Sequence, residues 1–321
     1  MSAEFLDKTS SNEWNSFVDI SPQGSVFCYY EWLEFSTDND FQILVYRENG
    51  KIIAGMPLPF YSTNRIRLPV LTQKMGVLYE DFSDLKYTTK LDKEKKIVYD
   101  FIDVLKSHKK SYSMNFDWHF DNWLPFYWRG YEQTTRYTYV IDYNEKDLDL
   151  IWQDMDQKTR NSIRKALKHP LNVLETYDLM EFYDINKKTF SRQGMKTPYS
   201  YEYIKKLYDT FNQQIKIFKA EDNSHNVHAM NFYISDKRSV YYLMSGADAD
   251  FRSSGAQDLI HWKAIEYYYD KVGYFDFEGS MIENIESNFR KFGAIQKPYF
   301  HIYNKSILRK LKDIAKIILK R

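Results

Sequence analysis

The chain has almost no cysteine. Of its 321 residues only Cys28 carries a thiol, so no internal disulfide framework is available, and a reducing compartment is expected. Net charge is nearly absent as well: 45 basic and 44 acidic residues leave +1 at neutral pH. No global field therefore favours nucleic acid, and any basic patch must be local. No apolar run approaches the roughly 20 residues that a membrane-spanning helix requires. The first residues, MSAEFLDKTSSNEW, form neither a basic nor an apolar leader, so no signal peptide is expected. These features predict a soluble cytoplasmic protein. No metal is expected either, because His225 and His228 have H-x-x-H spacing with no third ligand nearby.

Aromatic residues, in contrast, are abundant. The 28 Tyr, 22 Phe and 7 Trp supply a sizeable core for one large or two ordinary domains. The clearest local signal is FQILVYRENGKIIAGMPLPFY, two strand-like runs flanking Asn49-Gly50, the pair preferred in a tight hairpin. An amphipathic helix is expected over Leu91–Lys106, and strands over Ser111–Phe116 and Arg136–Asp142. The polar stretch from Asp142 to Asp147 marks a boundary. Beyond it the pattern predicts a long helix over Leu148–Lys168 and two shorter ones near 179–193 and 199–211. A meander of strands then covers Ile215–Glu221, Val227–Ser235 and Ser239–Met244, and Lys297–Tyr303 reads as a last strand.

The stretch from Tyr241 to Gly293 organises the second half. It reads as strand, polar loop, helix, strand and short helix. The helix, from Gly255 to about Lys271, is entered through Arg252-Ser253-Ser254-Gly255-Ala256, with Ser253 and Ser254 as N-cap candidates and Gly273 as the C′ residue. Such a start points unpaired N–H groups and positive dipole at the loop and suits phosphate or an oxyanion. Along a strand Tyr274–Glu278, Asp276 and Glu278 face away from Phe275 and Phe277, which makes the two carboxylates candidates for general-base work. Arg290 and Lys291, beside Gly293, are candidates to neutralise an oxyanion or a substrate phosphate. Arg160, Asn161, Arg164 and Lys165 share a helical face that suits phosphate, or they form an ordinary solvated face. The last helix, Ser306–Arg321, pairs an apolar stripe with seven basic residues counted from Lys305; it either packs on the first domain or touches an anionic membrane.

Both halves share the order meander, helix, strand, short segment, strand, so the chain reads as a duplicated α/β unit. Lys158-Thr-Arg-Asn-Ser-Ile-Arg-Lys-Ala166, Phe190-Ser-Arg-Gln-Gly194, Phe275-Asp-Phe-Glu-Gly279 and Phe289-Arg-Lys-Phe-Gly293 then carry a resemblance. The chain resembles the FemABX-type aminoacyltransferases and the FemAB-like acetyltransferases of the GNAT superfamily. That resemblance implies an α/β (α+β) fold of two tandem GNAT-like domains with a cleft between them. The domains would be 1–144, with 305–321 folding back onto it, and 145–304. It implies transfer of an acyl or aminoacyl group to an amine of a cell-envelope or polysaccharide precursor, small or lipid-linked. The donor, acyl-coenzyme A or an aminoacyl-tRNA, would sit at Arg252–Ala256, and Arg192 with Tyr199 or Tyr203 would lie on the acceptor side. The sequence departs from the family in three places. No helical arm fits between Arg192 and Ile215, the usual Phe-Lys pair is shifted to Phe289-Arg290-Lys291, and Gln257 stands where Gly or Ala ends the R-x-x-G-x-G/A pattern. A non-catalytic binding protein on the same fold is the reading from another class.

Overall fold

The structure, a computed structural model, describes residues 3–62, 65–107, 111–168, 171–279 and 281–304. The expected C-terminal helix 306–321, with its fold-back and membrane contact, lies outside the described residues, as does the helix stop at 169–170. The described residues divide into two compact units, one of residues 3–136 with 298–304 and one of residues 137–297. In chain order the first elements are β1 (Ala3–Phe5), α1 (Ser11–Ile20), α2 (Tyr30–Thr37), β2 (Phe41–Glu48) and β3 (Lys51–Ser62). There follow β4 (Arg65–Arg67), β5 (Leu78–Tyr79), α3 (Tyr87–Ser107), β6 (Ser111–Asn115), α4 (Leu124–Trp128) and β7 (Tyr131–Asp142). The rest are α5 (Leu148–Asp154), α6 (Gln157–Lys168), β8 (Asn172–Glu175), α7 (Leu179–Arg192), α8 (Tyr201–Phe211), β9 (Ile215–Glu221) and β10 (Val227–Ser235). The last are β11 (Ser239–Ala247), α9 (Ala256–Tyr268), β12 (Tyr274–Asp276), α10 (Glu283–Arg290) and β13 (Ile295–Asn304).

In the first unit the strands run in the order β1-β2-β3-β4-β6-β13, with β5 paired to β3. The hairpin between β2 and β3 closes at Asn49-Gly50, with φ of 51° and 80°. Left-handed backbone at both central positions matches the twist of the strands it joins, which is why this dipeptide is legible as a turn. α3 buries Ile97, Val98, Phe101, Ile102 and Leu105 at three- and four-residue spacing. Trp14, Trp32, Phe27, Tyr112 and Phe126 fill the core.

In the second unit the order is β7-β12-β11-β10-β9-β8. Its core joins Ile163 and Ala166 of α6, Leu259, Ile260 and Ile265 of α9, and Phe275, Phe277 and Phe292. Each unit holds a parallel pair, β4 with β6 around α3 and β11 with β12 around α9. The last strand of each half is exchanged. β7 pairs with β12 in the second unit (Phe275 opposite Ile141), and β13 pairs with β6 in the first (Ile302 opposite Met114).

The expected single helix over 148–168 is two helices. Met155 is extended, and Asp156 Oδ1 accepts the Lys158 N–H at 2.8 Å, so a new helix is capped where the periodicity alone reads straight through.

Candidate functional site

The site is built where two parallel strands part. β11 and β12 pair only at Ser239–Tyr241 and Tyr274–Asp276. β11 then continues to Ala247, whereas the Phe277 N–H turns to the Tyr139 carbonyl of β7 at 2.9 Å. A bulge explains the divergence. Phe232 of β10 faces Met244, and the next residue, Tyr233, faces Tyr242, which leaves Leu243 without an opposite number. An extra residue bends its strand, so β11 swings from β12 at that point. Tyr242 and Phe289 of α10, ring centroids 6.0 Å apart, stand beside the fork.

The loop after β11 leads to α9 through Gly255. This residue has φ +79°, and a Cβ there would lie 2.8 Å from the Ser162 carbonyl and 2.9 Å from its hydroxyl. α6 therefore abuts the entrance to α9 with glycine as the contact. The expectation that Ser253 or Ser254 is the N-cap is corrected: Gly255 holds that position, and Ser254 Oγ accepts the Ala256 N–H at 3.2 Å. Lys165 of α6 donates to the Ser253 carbonyl at 3.3 Å. Gly273 is not the C′ residue either, because α9 ends at Tyr268 with Tyr269 in right-handed conformation.

Beneath the fork lies a polar cluster. Gln257 donates to Asn231 Oδ1 at 2.6 Å and to the Tyr242 hydroxyl at 3.3 Å. Asn231 donates to the Tyr233 hydroxyl, which meets His261 Nδ1, both at 3.0 Å. Aromatic neighbours surround His261, with ring centroids at 4.6 Å for Tyr242, 5.1 Å for Phe292 and 5.5 Å for Phe277. Burial, with the Lys291 ammonium nearby, pushes the imidazole down to about 3, so it is neutral at physiological pH. Burial pushes Tyr242 up to about 12. The sequence reading missed this cluster, although Asn231 inside the otherwise apolar run Ala-Met-Asn-Phe-Tyr was a signal for it.

The proposed site residues separate into those at the fork and those elsewhere. Asp276 is buried at the end of β12; its Oδ1 accepts the Thr138 hydroxyl and, at 2.8 Å, the Glu278 N–H. The strand stops there, and Glu278 adopts φ +60°, so the shared face inferred from strand alternation does not hold. Lys291 forms an ion pair with Asp258 in the first turn of α9 at 2.7 Å. Arg290 is exposed, with Nε 3.8 Å from Glu286. Arg192 donates to the Ala247 carbonyl at 3.0 Å, where β11 gives way to the loop holding Arg252. Arg160 points away from that loop, donating to the Trp152 and Gln153 carbonyls at 3.3 and 2.7 Å and so covering the end of α5. Arg164 lies 5.4 Å from the Trp152 ring. Tyr203 sits in the first turn of α8, its N–H on Ser200 Oγ at 3.3 Å.

Residues 153–283 match the family model for a GNAT acetyltransferase domain. No curated protein matches the sequence. Among solved structures the chain is similar to FemX, with TM-score 0.70 at 13% identity over 94% of this chain and 97% of that one. It is also similar to the C-terminal domain of a putative lysylphosphatidylglycerol synthetase from Agrobacterium fabrum, with TM-score 0.57 at 9% identity over 97% and 96% of the two chains. A tandem GNAT protein from the clavulanic acid biosynthesis pathway aligns with TM-score 0.52 at 9% identity over 94% and 97%. At these identities the likeness is one of fold. The fold is that of tandem GNAT proteins, and the stretch that matches the GNAT acetyltransferase model lies within the second unit.

Proposed function

We propose that the second unit, as a GNAT domain, works as an N-acyltransferase that delivers an acyl group to an amino group of a cell-envelope or polysaccharide precursor. The observation that carries this reading is the fork between β11 and β12 ending at a helix start with no side chain at Gly255. The residues fit an acyl-coenzyme A donor. The start of α9 turns backbone N–H groups towards the loop, where a phosphate can meet them, Gly255 lets α6 close on the helix entrance, and Gln257 turns its side chain inward to Asn231 rather than towards the loop. Bound there, the donor supplies a thioester carbonyl. Arg252 and the N–H groups that follow Ala256 in the first turn of α9 would hold its phosphates, while Lys291 fixes that turn through Asp258.

In the reaction the acceptor nitrogen attacks the thioester carbon, a C–N bond forms, and the C–S bond breaks. The amine proton passes to Glu278, and the departing thiolate takes a proton from solvent. Asp276 is a positioning residue here: its Oδ1 holds the Glu278 N–H. Arg192 and Tyr203 are assigned to the acceptor side, and Arg164 and Arg290, both exposed, to acceptor phosphates.

Melting-temperature measurement with coenzyme A, acetyl-coenzyme A and UDP-linked peptidoglycan precursors tests the reading, since a ligand selective for the folded state raises the midpoint. A shift with acetyl-coenzyme A that disappears in Arg252→Ala supports it. No shift with either coenzyme, in a protein that shifts with the precursor, overturns the coenzyme donor.

An aminoacyl-tRNA donor is a second reading, favoured by one observation. α6 exposes Lys158, Arg164, Lys165 and Lys168 with no acidic residue among its twelve, and Lys165 reaches the donor loop. Aminoacyl-tRNA binding that weakens steeply with salt, and weakens further in Lys158→Glu, would favour that donor.

A further inference from the structure

The first unit contains a cavity of about 220 Å³. One part of its wall is aromatic: Tyr79 stacks on Phe120 at 6.1 Å between centroids and meets Phe82 at 5.8 Å. The remainder is largely acidic, with Glu80, Asp81, Glu94 and Asp121 lining it against His119 and a single lysine, Lys90. Lys93 pairs with Glu80 at 3.7 Å from outside the lining. Lys90 Nζ stands 3.7 Å from both Glu94 Oε1 and Asp121 Oδ2, beyond hydrogen-bond reach of either.

Glu94 is the unusual member. It projects from α3 with 2% of its surface exposed, and Asn122 donates to its Oε2 at 3.1 Å. Burial holds its carboxyl above the usual carboxylate range. Tyr79, 5% exposed, has a buried hydroxyl with no hydrogen-bond partner. A buried carboxylate whose own lysine stops short, beside an unpartnered hydroxyl and aromatic faces, is built to receive N–H donors that carry positive charge.

We propose that this cavity binds a compact organic ammonium ion. Its N–H groups would reach Glu94 and the Tyr79 oxygen, with its carbon skeleton against Tyr79, Phe82 and Phe120. A metal ion fits less well, because among the described residues no group of three His, Cys, Asp or Glu has metal-binding geometry. An anion would meet four carboxylates. The volume is below the about 300–1,000 Å³ of drug-sized sites, so the ligand is the size of an amino sugar or an amino-acid amide. The proposal does not depend on acyl transfer by the second unit.

Calorimetric titration of the full chain with glucosamine, lysinamide and ethanolamine tests it, with glucose and acetate as neutral and anionic controls. At least one amine is expected to bind while both controls do not. Glu94→Gln should weaken that amine about tenfold, the loss of one charge-assisted hydrogen bond. Lys90→Met should tighten it about threefold by removing a competing charge. Asp121→Asn, at a side chain 70% exposed and therefore safe for folding, should weaken it about threefold and keeps the test decisive if Glu94→Gln unfolds. Failure of all three amines to bind overturns the proposal. So does equal binding of the controls, or loss of binding in Lys90→Met, which would mark the site as one for anions.

Discussion

Lys291 Nζ sits 2.7 Å from Asp258 Oδ1, so the residue that follows α10 is tied to the first turn of α9. Both side chains are mostly shielded, at 25% and 15% exposure. A double-mutant cycle of Lys291→Met and Asp258→Asn, read by urea unfolding, should return a coupling of about 1 kcal/mol. Strictly additive losses would mean that the pair does not hold the two helices together.

Gly255→Ala should cost more than a left-handed backbone alone. The new Cβ meets the Ser162 carbonyl at 2.8 Å, whereas Gly194, also left-handed at φ +71°, has nothing within 4 Å of its Cβ. We expect Gly194→Ala to cost about 1 kcal/mol and Gly255→Ala about 2–3 kcal/mol, with donor affinity falling only in the latter. Equal effects of the two changes in thermal unfolding would remove the close approach of α6 from the account.

The buried imidazole gives stability a pH dependence with a defined sign. His261 has its folded value depressed from 6.5 to about 3, so the unfolded chain binds the extra proton between those limits. Its contribution is present above pH 6.5 and is lost as pH falls towards 3, at about 1.4 kcal/mol per pH unit. His301 is depressed in the same direction by burial, so parent and His261→Gln proteins must be compared at each pH. The variant should show a shallower decline in urea midpoint between pH 6.5 and 5. Parallel curves would mean that the imidazole is not held neutral.

Arg160→Ala separates scaffold from site. Its guanidinium serves the last carbonyls of α5, so the substitution should lower stability by about 1–2 kcal/mol and leave the affinity for acetyl-coenzyme A within twofold. A large loss of donor affinity at unchanged stability would return Arg160 to the substrate-binding set.

Much of the architecture was legible because it is local. Asn49-Gly50 sets its own turn, and β9 and β10 have the bounds that their apolar runs define. The resemblance to tandem GNAT proteins was legible from short motifs around Arg252, Phe275 and Phe289. What was hidden depends on partners far away in the chain. Nothing near Leu243 says that Phe232 and Tyr233 will straddle it, and that one mismatch opens the fork. Gln257 reads as a broken motif until Asn231, 26 residues earlier, takes its side chain. Asp156 caps the second of the two helices, but Leu148, Trp152, Met155, Ile163 and Leu167 read as one helix side running past it.

The exchange of β7 and β13 has a consequence for biosynthesis. While the protein emerges from the ribosome, β6 is made early, but its partner at residues 301–303 is among the last described residues to appear. For most of translation one edge of that strand stays open, a template for mispairing between nascent chains. The first half of the gene expressed alone would carry the same defect permanently. Supplying a peptide that covers β13 is the direct way to mend it.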